Sequence, residues 1–348
     1  MKKIDAKVFT SKIFAGLALG IVGGLIPNAI LGELFKALTP YASVFGTLHQ
    51  VLVAIQFTVP AIIGVLIALQ FDFTPVQIIS TAAATFVGSG VAQFDGEQWL
   101  LKGMGDLVNT GLVAVISVLI IIYFESFLSK MAIILTPILG GALPGYIGLL
   151  MLPYVMGLTG FIGQIIANFT HLQLLLMSIL ISISFALIIV SPMSTVAVGL
   201  AIQLNGLGSG AGNLGIVAAA VSVMVGSYFV NPGSITTTVF FAGPKMFMPN
   251  FIKRPILLLP VVLSAICTGI GAYLFNIQGT PESAGFGFTG LVGPIKAYAL
   301  LDGSSLSKII AIIITFVVIP VVAAYLFHVL FTKVFKLYDS SAYIYQEQ

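Results

Sequence analysis

The residue best placed to do chemistry in this chain is one carboxylate, Glu282. It stands in the stretch GTPESAGFGFTGLVGP, Gly279 to Pro294, among glycines, prolines and aromatic residues and between two long apolar runs. The preceding pair Thr280-Pro281 reads as a helix start, because a threonine oxygen can cap and proline fits the first helical position. On that reading Glu282 falls in the first helical turn, where the positive end of the helix favours a carboxylate. A carboxylate accepts several hydrogen bonds and donates none. Its natural ligand is therefore a group that donates hydroxyl hydrogens. The alternative is a plain capping glutamate in a loop.

Other polar side chains qualify as ligands by type. Asn231 opens the run NPGSITTTVFFAGP. His171 follows Asn168 at the start of an apolar run, and His49 shares a helix face with Gln56, seven residues on. A lone histidine near the end of an apolar run also suits an interfacial or packed position, as His328 does. The three histidines lack metal-ligand spacing, and no Cys or carboxylate accompanies them. No metal site and no cofactor is expected. Asn205 and Asn213 bracket GLGSGAG. A glycine-rich loop can cradle phosphate, but the GxxxxGK[ST] pattern is missing, so nucleotide hydrolysis is not expected. No Ser-His-Asp constellation is present. Cys267, the one cysteine, lies inside an apolar run and reads as a small buried hydrophobe.

The elements that must position these groups are membrane helices. Hydrophobic residues make up 59% of the 348 and charged residues 7%, with a mean hydropathy of +1.14. A soluble domain is about 25% charged. Nine runs read as spans: Ile13–Leu31, Val44–Leu69, Val76–Gln93, Leu107–Leu128, Ala132–Met151, Leu172–Val190, Leu214–Val230, Ile256–Phe275 and Ile309–Phe331. The class is an all-α polytopic membrane protein with about 8–10 transmembrane helices. The basic N-terminus MKKIDAKVFTSK reads as cytoplasmic and retained rather than as a signal peptide, and Lys333 and Lys336 place the other end on the same side. The net charge of +3 sits at the ends of apolar runs, which argues against nucleic acid as a partner. The cluster Asp95, Glu97, Lys102 and Asp106 with the one tryptophan reads as an interfacial loop.

Between Lys130 and Lys245 there is no Asp, Glu, Lys or Arg. That region suits a neutral, hydroxyl-rich ligand better than a charged one. Three segments are too rich in Gly, Pro, Ser, Thr or Asn for ordinary spans: Gln203–Gly215, Asn231–Pro249 and Gly279–Pro294. Irregular backbone is tolerated at membrane depth where protein or water covers it, and transporters use re-entrant hairpins and broken helices of this composition. At that depth a carboxylate costs roughly 2.5–3.5 kcal/mol. A helix end and a sugar's hydroxyls would offset much of it. Two re-entrant hairpins are expected, near 231–249 and 279–296. Met193–Leu204 is short enough for a half-helix. Gly16, Gly20 and Gly24 lie four apart, a spacing that lets helices approach closely. These features divide the chain into residues 1–170, a scaffold and contact half, and residues 171–348, a ligand-handling half. Six Thr-Pro, Ser-Pro or Asn-Pro pairs, at 39, 74, 136, 191, 231 and 280, read as helix starts.

The run GTPESAGFGFTGLVGP resembles the hairpin motif of the EIIC sugar-translocating subunits of the bacterial phosphotransferase system. In the glucose superfamily of those subunits, a G-I-T-E-type sequence supplies a sugar-binding glutamate. Gly279-Thr280-Pro281-Glu282 stands at the match, with proline and threonine rearranged. With VNPGSITTTVFFAGP upstream, the chain looks like the EIIC-type proteins that include the perfringolysin O regulator. The resemblance implies a homodimer in a bacterial cytoplasmic membrane, contact through the N-terminal half, and sugar carried by a C-terminal half with two hairpins. It implies phosphate relayed by separate EIIA and EIIB proteins, with no phosphoryl-carrying residue here. Glu282, with Gly279 and Thr280, is the implied sugar site. Asn231, His171 and His49 join it on polarity alone. Members near the perfringolysin regulator are also described as regulators. A membrane sensor and an uncoupled small-solute transporter are therefore the alternatives.

Overall fold

The computed structural model describes residues 5–124, 127 and 131–345. Lys2, Lys3, Lys130 and the end of the run Leu107–Leu128 lie outside them. Each of the nine apolar runs overlaps helix, although Val76–Gln93 passes its helix end at Gly88 and enters the strand Ala92–Phe94. Among the described residues five helices are long and apolar enough to cross a membrane, and the bent pair Ser43–Phe57 and Val59–Gln70 makes a sixth span if counted as one. Pro75–Gly88, Leu107–Tyr123 and Leu174–Ile189 are shorter apolar helices. The chain forms two compact units, one up to Leu158 and one from Thr159.

In the first unit, α1 (Ala6–Leu38) lies against α3 (Val59–Gln70), followed by α4 (Pro75–Gly88) and α5 (Leu107–Tyr123). The glycine stripe of α1 is used inside this unit. A Cβ on Gly16 would lie 2.6 Å from the Ile67 backbone, and one on Gly20 would lie 2.8 Å from the Ile63 Cα. The helices approach closely because no side chain separates them. Deeper in, the Asn109 amide donates to the carbonyls of Gly88 (2.6 Å) and Gly148 (2.9 Å), and the Ser117 hydroxyl donates to Gly140 (2.5 Å). These bonds satisfy carbonyls that glycine leaves uncovered. The expected interfacial loop is a hairpin, with Ala92–Phe94 paired to Trp99–Leu101. Asp95 accepts the Glu97 and Gln98 N–H groups at its turn, which hold its carboxyl below the usual range.

The second unit is built round one helix, Gly206–Tyr228, whose apolar window is 94% buried. Leu174–Ile189 and Leu258–Leu274 flank it, and the long helix Ser305–Val334 also packs there. The glycine-rich segment Gln203–Gly215 is therefore a buried helix from Gly206 onward, not a broken span. Its glycines are sites of backbone contact. A Cβ on Gly210 would overlap the Ile277 carbonyl, and one on Gly215 the Ser182 carbonyl. Met193–Leu204 holds the short helix Thr195–Ala201, capped by Ser194.

The X-Pro pairs depart from expectation. Thr74-Pro75 does start a helix, with the Thr74 N–H bonded to Gln77 at 2.8 Å. Thr39 and Ser191 instead close helices, their hydroxyls donating back to Phe35 (2.8 Å) and Ile188 (2.7 Å). Thr136-Pro137 sits inside a span, at a π-turn over Pro137–Ala142. Thr39 and Thr136 keep helical backbone angles before their prolines, and a hydroxyl at such a position can reach the carbonyl of the preceding turn. The same pair therefore marks ends as well as starts.

Replacing Gly20 by Val should separate α1 from α3 at a cost of about 1–3 kcal/mol. A Cβ added to Gly23 would meet nothing within 4 Å, so Gly23→Ala should leave the thermal midpoint in detergent unchanged or raise it. A Gly20→Val midpoint equal to wild type would contradict this packing.

Candidate functional site

The segment after Leu274 is held by hydrogen bonds at almost every step. The Ile277 N–H returns to Ala272 at 2.9 Å and ends the helix. Gly279 then pairs with Gly206 as an isolated antiparallel bridge, its two bonds 2.9 and 3.0 Å long. The Thr280 carbonyl accepts the Ser209 hydroxyl (2.9 Å) and the N–H groups of Ser283 and Ala284 (both 3.0 Å). The Gly285 carbonyl accepts the Thr195 hydroxyl at 2.7 Å. The Gly287 N–H donates to Asn213 Oδ1 at 3.0 Å. Gly285 has φ 92° and Gly287 φ 61°. A Cβ on Gly285 would lie 2.5 Å from the Thr195 backbone, so glycine is required there on both counts.

Pro281–Gly285 is a turn, not the start of a helix. Thr280 does not cap it. The Ser283 hydroxyl does so, accepting the Thr280 N–H at 2.8 Å. The Thr280 hydroxyl oxygen is buried and has no partner among the described residues. The Ser283 N–H that a Thr280 cap would take donates instead to the Thr280 carbonyl at 3.0 Å. Glu282 projects from this turn and is exposed, while Ser283 and Ala284 beside it are buried. The turn is a rigid mount for a carboxylate.

The other irregular segment reaches the same loop. Gly233–Ala242 is a short helix, and its Phe240 ring meets Phe288 at 5.1 Å between centroids. Asn231 lies elsewhere in the unit and is committed to the C-terminal tail. Its amide donates to the Tyr343 carbonyl (2.6 Å) and to the Ser227 hydroxyl (3.0 Å), and its oxygen accepts the Tyr345 N–H (2.7 Å). Asn250 holds the Ala342 and Ile344 carbonyls. His328, read as interfacial, is buried under the tail, stacked on Phe229 at 5.1 Å. His171 is exposed in the turn after the helix ending at Phe169. His49 lies half-buried on the helix Ser43–Phe57 of the first unit. Gly279, Thr280 and Glu282 are thus contiguous, whereas Asn231 serves the tail. Among the described residues no His, Cys, Asp and Glu group could hold a metal.

Sequence reasoning missed Ser209, Thr195 and Lys245, and noted Asn213 only as one end of a glycine-rich segment. Ser209 and Thr195 looked like ordinary small polar residues. Lys245 ends the charge-free stretch, which was the one available signal. It sits between spanning helices in the 3-10 turn Pro244–Phe247 and is 6% exposed. Its ammonium donates to the carbonyls of Ser191 (2.5 Å) and Met193 (2.6 Å).

Asn213→Ala should leave the Gly287 N–H buried and unpaired, at a cost of about 1–3 kcal/mol. Limited proteolysis should then cut within residues 285–291 faster than in wild type, and equal rates would refute the role given to Asn213.

The family model described as "Phosphotransferase system, EIIC" matches residues 11–345, which includes both units and the Glu282 turn. No curated protein and no solved structure matches the chain. With nearly all of its length inside that match, and with its apolar helices, the chain belongs to the phosphotransferase system EIIC family of membrane subunits.

Proposed function

We propose that this chain is the sugar-translocating subunit of a phosphoenolpyruvate-dependent phosphotransferase system, and that it binds a neutral sugar at the Glu282 turn. The family supports a sugar permease in general, with EIIA and EIIB proteins as phosphate carriers. The observation that carries the finer reading is the turn itself. An exposed carboxylate stands on backbone whose own polar groups are bonded to Gly206, Ser209, Thr195 and Asn213. Such a carboxylate is pre-positioned to accept sugar hydroxyls without ordering the loop at the moment of binding. The Thr280 hydroxyl, without a partner among the described residues, is a second group for the same ligand.

In this reading the segments 231–249 and 279–296 are the two re-entrant hairpins, and residues 171–348 move the sugar against a dimeric scaffold formed by residues 1–170. His171 and His49 remain candidate sugar ligands on polarity alone. Phosphoryl transfer takes place on a separate EIIB at the cytoplasmic face, where both termini lie, in a bacterial cytoplasmic membrane. This chain supplies binding and passage and carries no phosphoryl group itself.

Binding of a panel of labelled sugars to purified protein, wild type beside Glu282→Gln, tests the site. One sugar should bind, and the substitution should weaken it at least ten-fold, about 1.4 kcal/mol, with the thermal midpoint unchanged. Equal binding by both proteins would move the site elsewhere. In vesicles, uptake should depend on phosphoenolpyruvate and the soluble phosphocarriers. Uptake without them would make the chain an uncoupled transporter, and binding without uptake would make it a sensor.

A further inference from the structure

Lys245 has no role in the reading above, yet it is the buried cation of a unit whose interior is otherwise uncharged by sequence from Met131 to Pro244. A buried ammonium is costly unless its hydrogen bonds repay it. The elements packed against its turn are Gly206–Tyr228, Gly233–Ala242 and Met248–Lys253. They carry no Asp or Glu, and Lys253 is their one charged residue. Its bonds go instead to the Ser191 and Met193 carbonyls, in the connection between Leu174–Ile189 and Thr195–Ala201. A methionine of similar length would fill the same space without the desolvation cost. What lysine adds is the tether.

The tether leads to the candidate site. Met193 is followed by Ser194, which caps the short helix by accepting the Ala197 N–H at 3.1 Å. Thr195, the first residue of that helix, bonds Gly285 at 2.7 Å. Gly199, one turn on, faces Ala284, where an added Cβ would lie 2.8 Å from the Ala284 Cβ. Residues 284 and 285 close the turn that carries Glu282. From the other side, Phe240 meets Phe288, only five residues before Lys245 in the chain.

We infer that Lys245 is a positioning residue for the sugar site: by holding the 191–193 connection it fixes the Thr195–Gly285 bond and so the placement of Glu282. The inference rests on the proposed sugar site for its functional consequence, but the mechanical link from Lys245 to the turn stands apart from any ligand.

Lys245→Met, Thr195→Val and the double variant test it with two readouts. The first needs no sugar. Glu282 is exposed, so a glutamate-specific protease can cut after it, while exposed Glu97 in the hairpin of the first unit is an internal reference. Each single variant should raise cleavage after Glu282 several-fold with cleavage after Glu97 unchanged. The double variant should exceed the larger single by little, because both act on one linkage. The second readout is binding of the sugar identified for wild type, which should weaken about ten-fold in each single variant and without additivity in the double. Unchanged cleavage after Glu282 in Lys245→Met, or full additivity in the double, overturns the inference. Faster, coupled cleavage in a protein whose wild type binds no sugar upholds the link and overturns the sugar site instead. If Lys245→Met does not fold, Thr195→Val decides alone, since unchanged cleavage there breaks the chain at its last step.

Discussion

A chain this apolar must satisfy its backbone polar groups from within. That constraint governs the segment between Ile277 and Leu291 more than any single contact. In a helix the requirement is met automatically. In the turn around Glu282 it is met piece by piece, by the Gly206 bridge, the Ser209 and Thr195 hydroxyls and the Asn213 amide. Ser209 and Asn213 come from the buried helix Gly206–Tyr228, and Thr195 is itself buried on the short helix Thr195–Ala201. The carboxylate is consequently carried by a frame and not by a flexible loop, and its placement is a property of the second unit's core.

Glycine makes that frame compact. Gly210 lets the central helix touch the Ile277 carbonyl, Gly279 lies against Ser209, and Gly285 lies against Thr195. The first unit uses the same device with different partners, pressing Gly16, Gly20 and Gly24 of α1 onto α3. Where glycine exposes a carbonyl, a small polar side chain often covers it, as Asn109 covers Gly88 and Gly148. Small residues and isolated amides therefore work as a pair, one allowing approach and the other satisfying what the approach uncovers. The tail obeys the same rule, since Asn231 and Asn250 bond backbone groups of residues 342–345.

The proposed sugar site has to be presented inside a membrane protein without opening unsatisfied backbone to lipid. Polar side chains from Thr195–Ala201 and Gly206–Tyr228 accordingly bond the Thr280 and Gly285 carbonyls and the Gly287 N–H of the segment that carries Glu282, and Gly206 pairs with Gly279.

The membrane class, the helical positions and the unusual turn at Gly279–Pro294 were legible in the residues alone, because hydropathy and glycine or proline content act locally. So was the close-approach role of Gly16, Gly20 and Gly24, which depends only on helical spacing. Local chemistry misjudged the X-Pro pairs, since a hydroxyl beside proline can serve the helix before it or the one after it, and it misjudged Gln203–Gly215, whose glycines looked like a break. Tertiary structure decided those cases. Burial on all sides stabilises a glycine-rich helix that would be marginal by propensity. Tertiary structure also assigned Asn231 to the tail and brought Lys245 to the 191–193 carbonyls. The partners in those contacts are up to 114 residues apart in the chain, a separation at which no spacing rule can say which groups will meet.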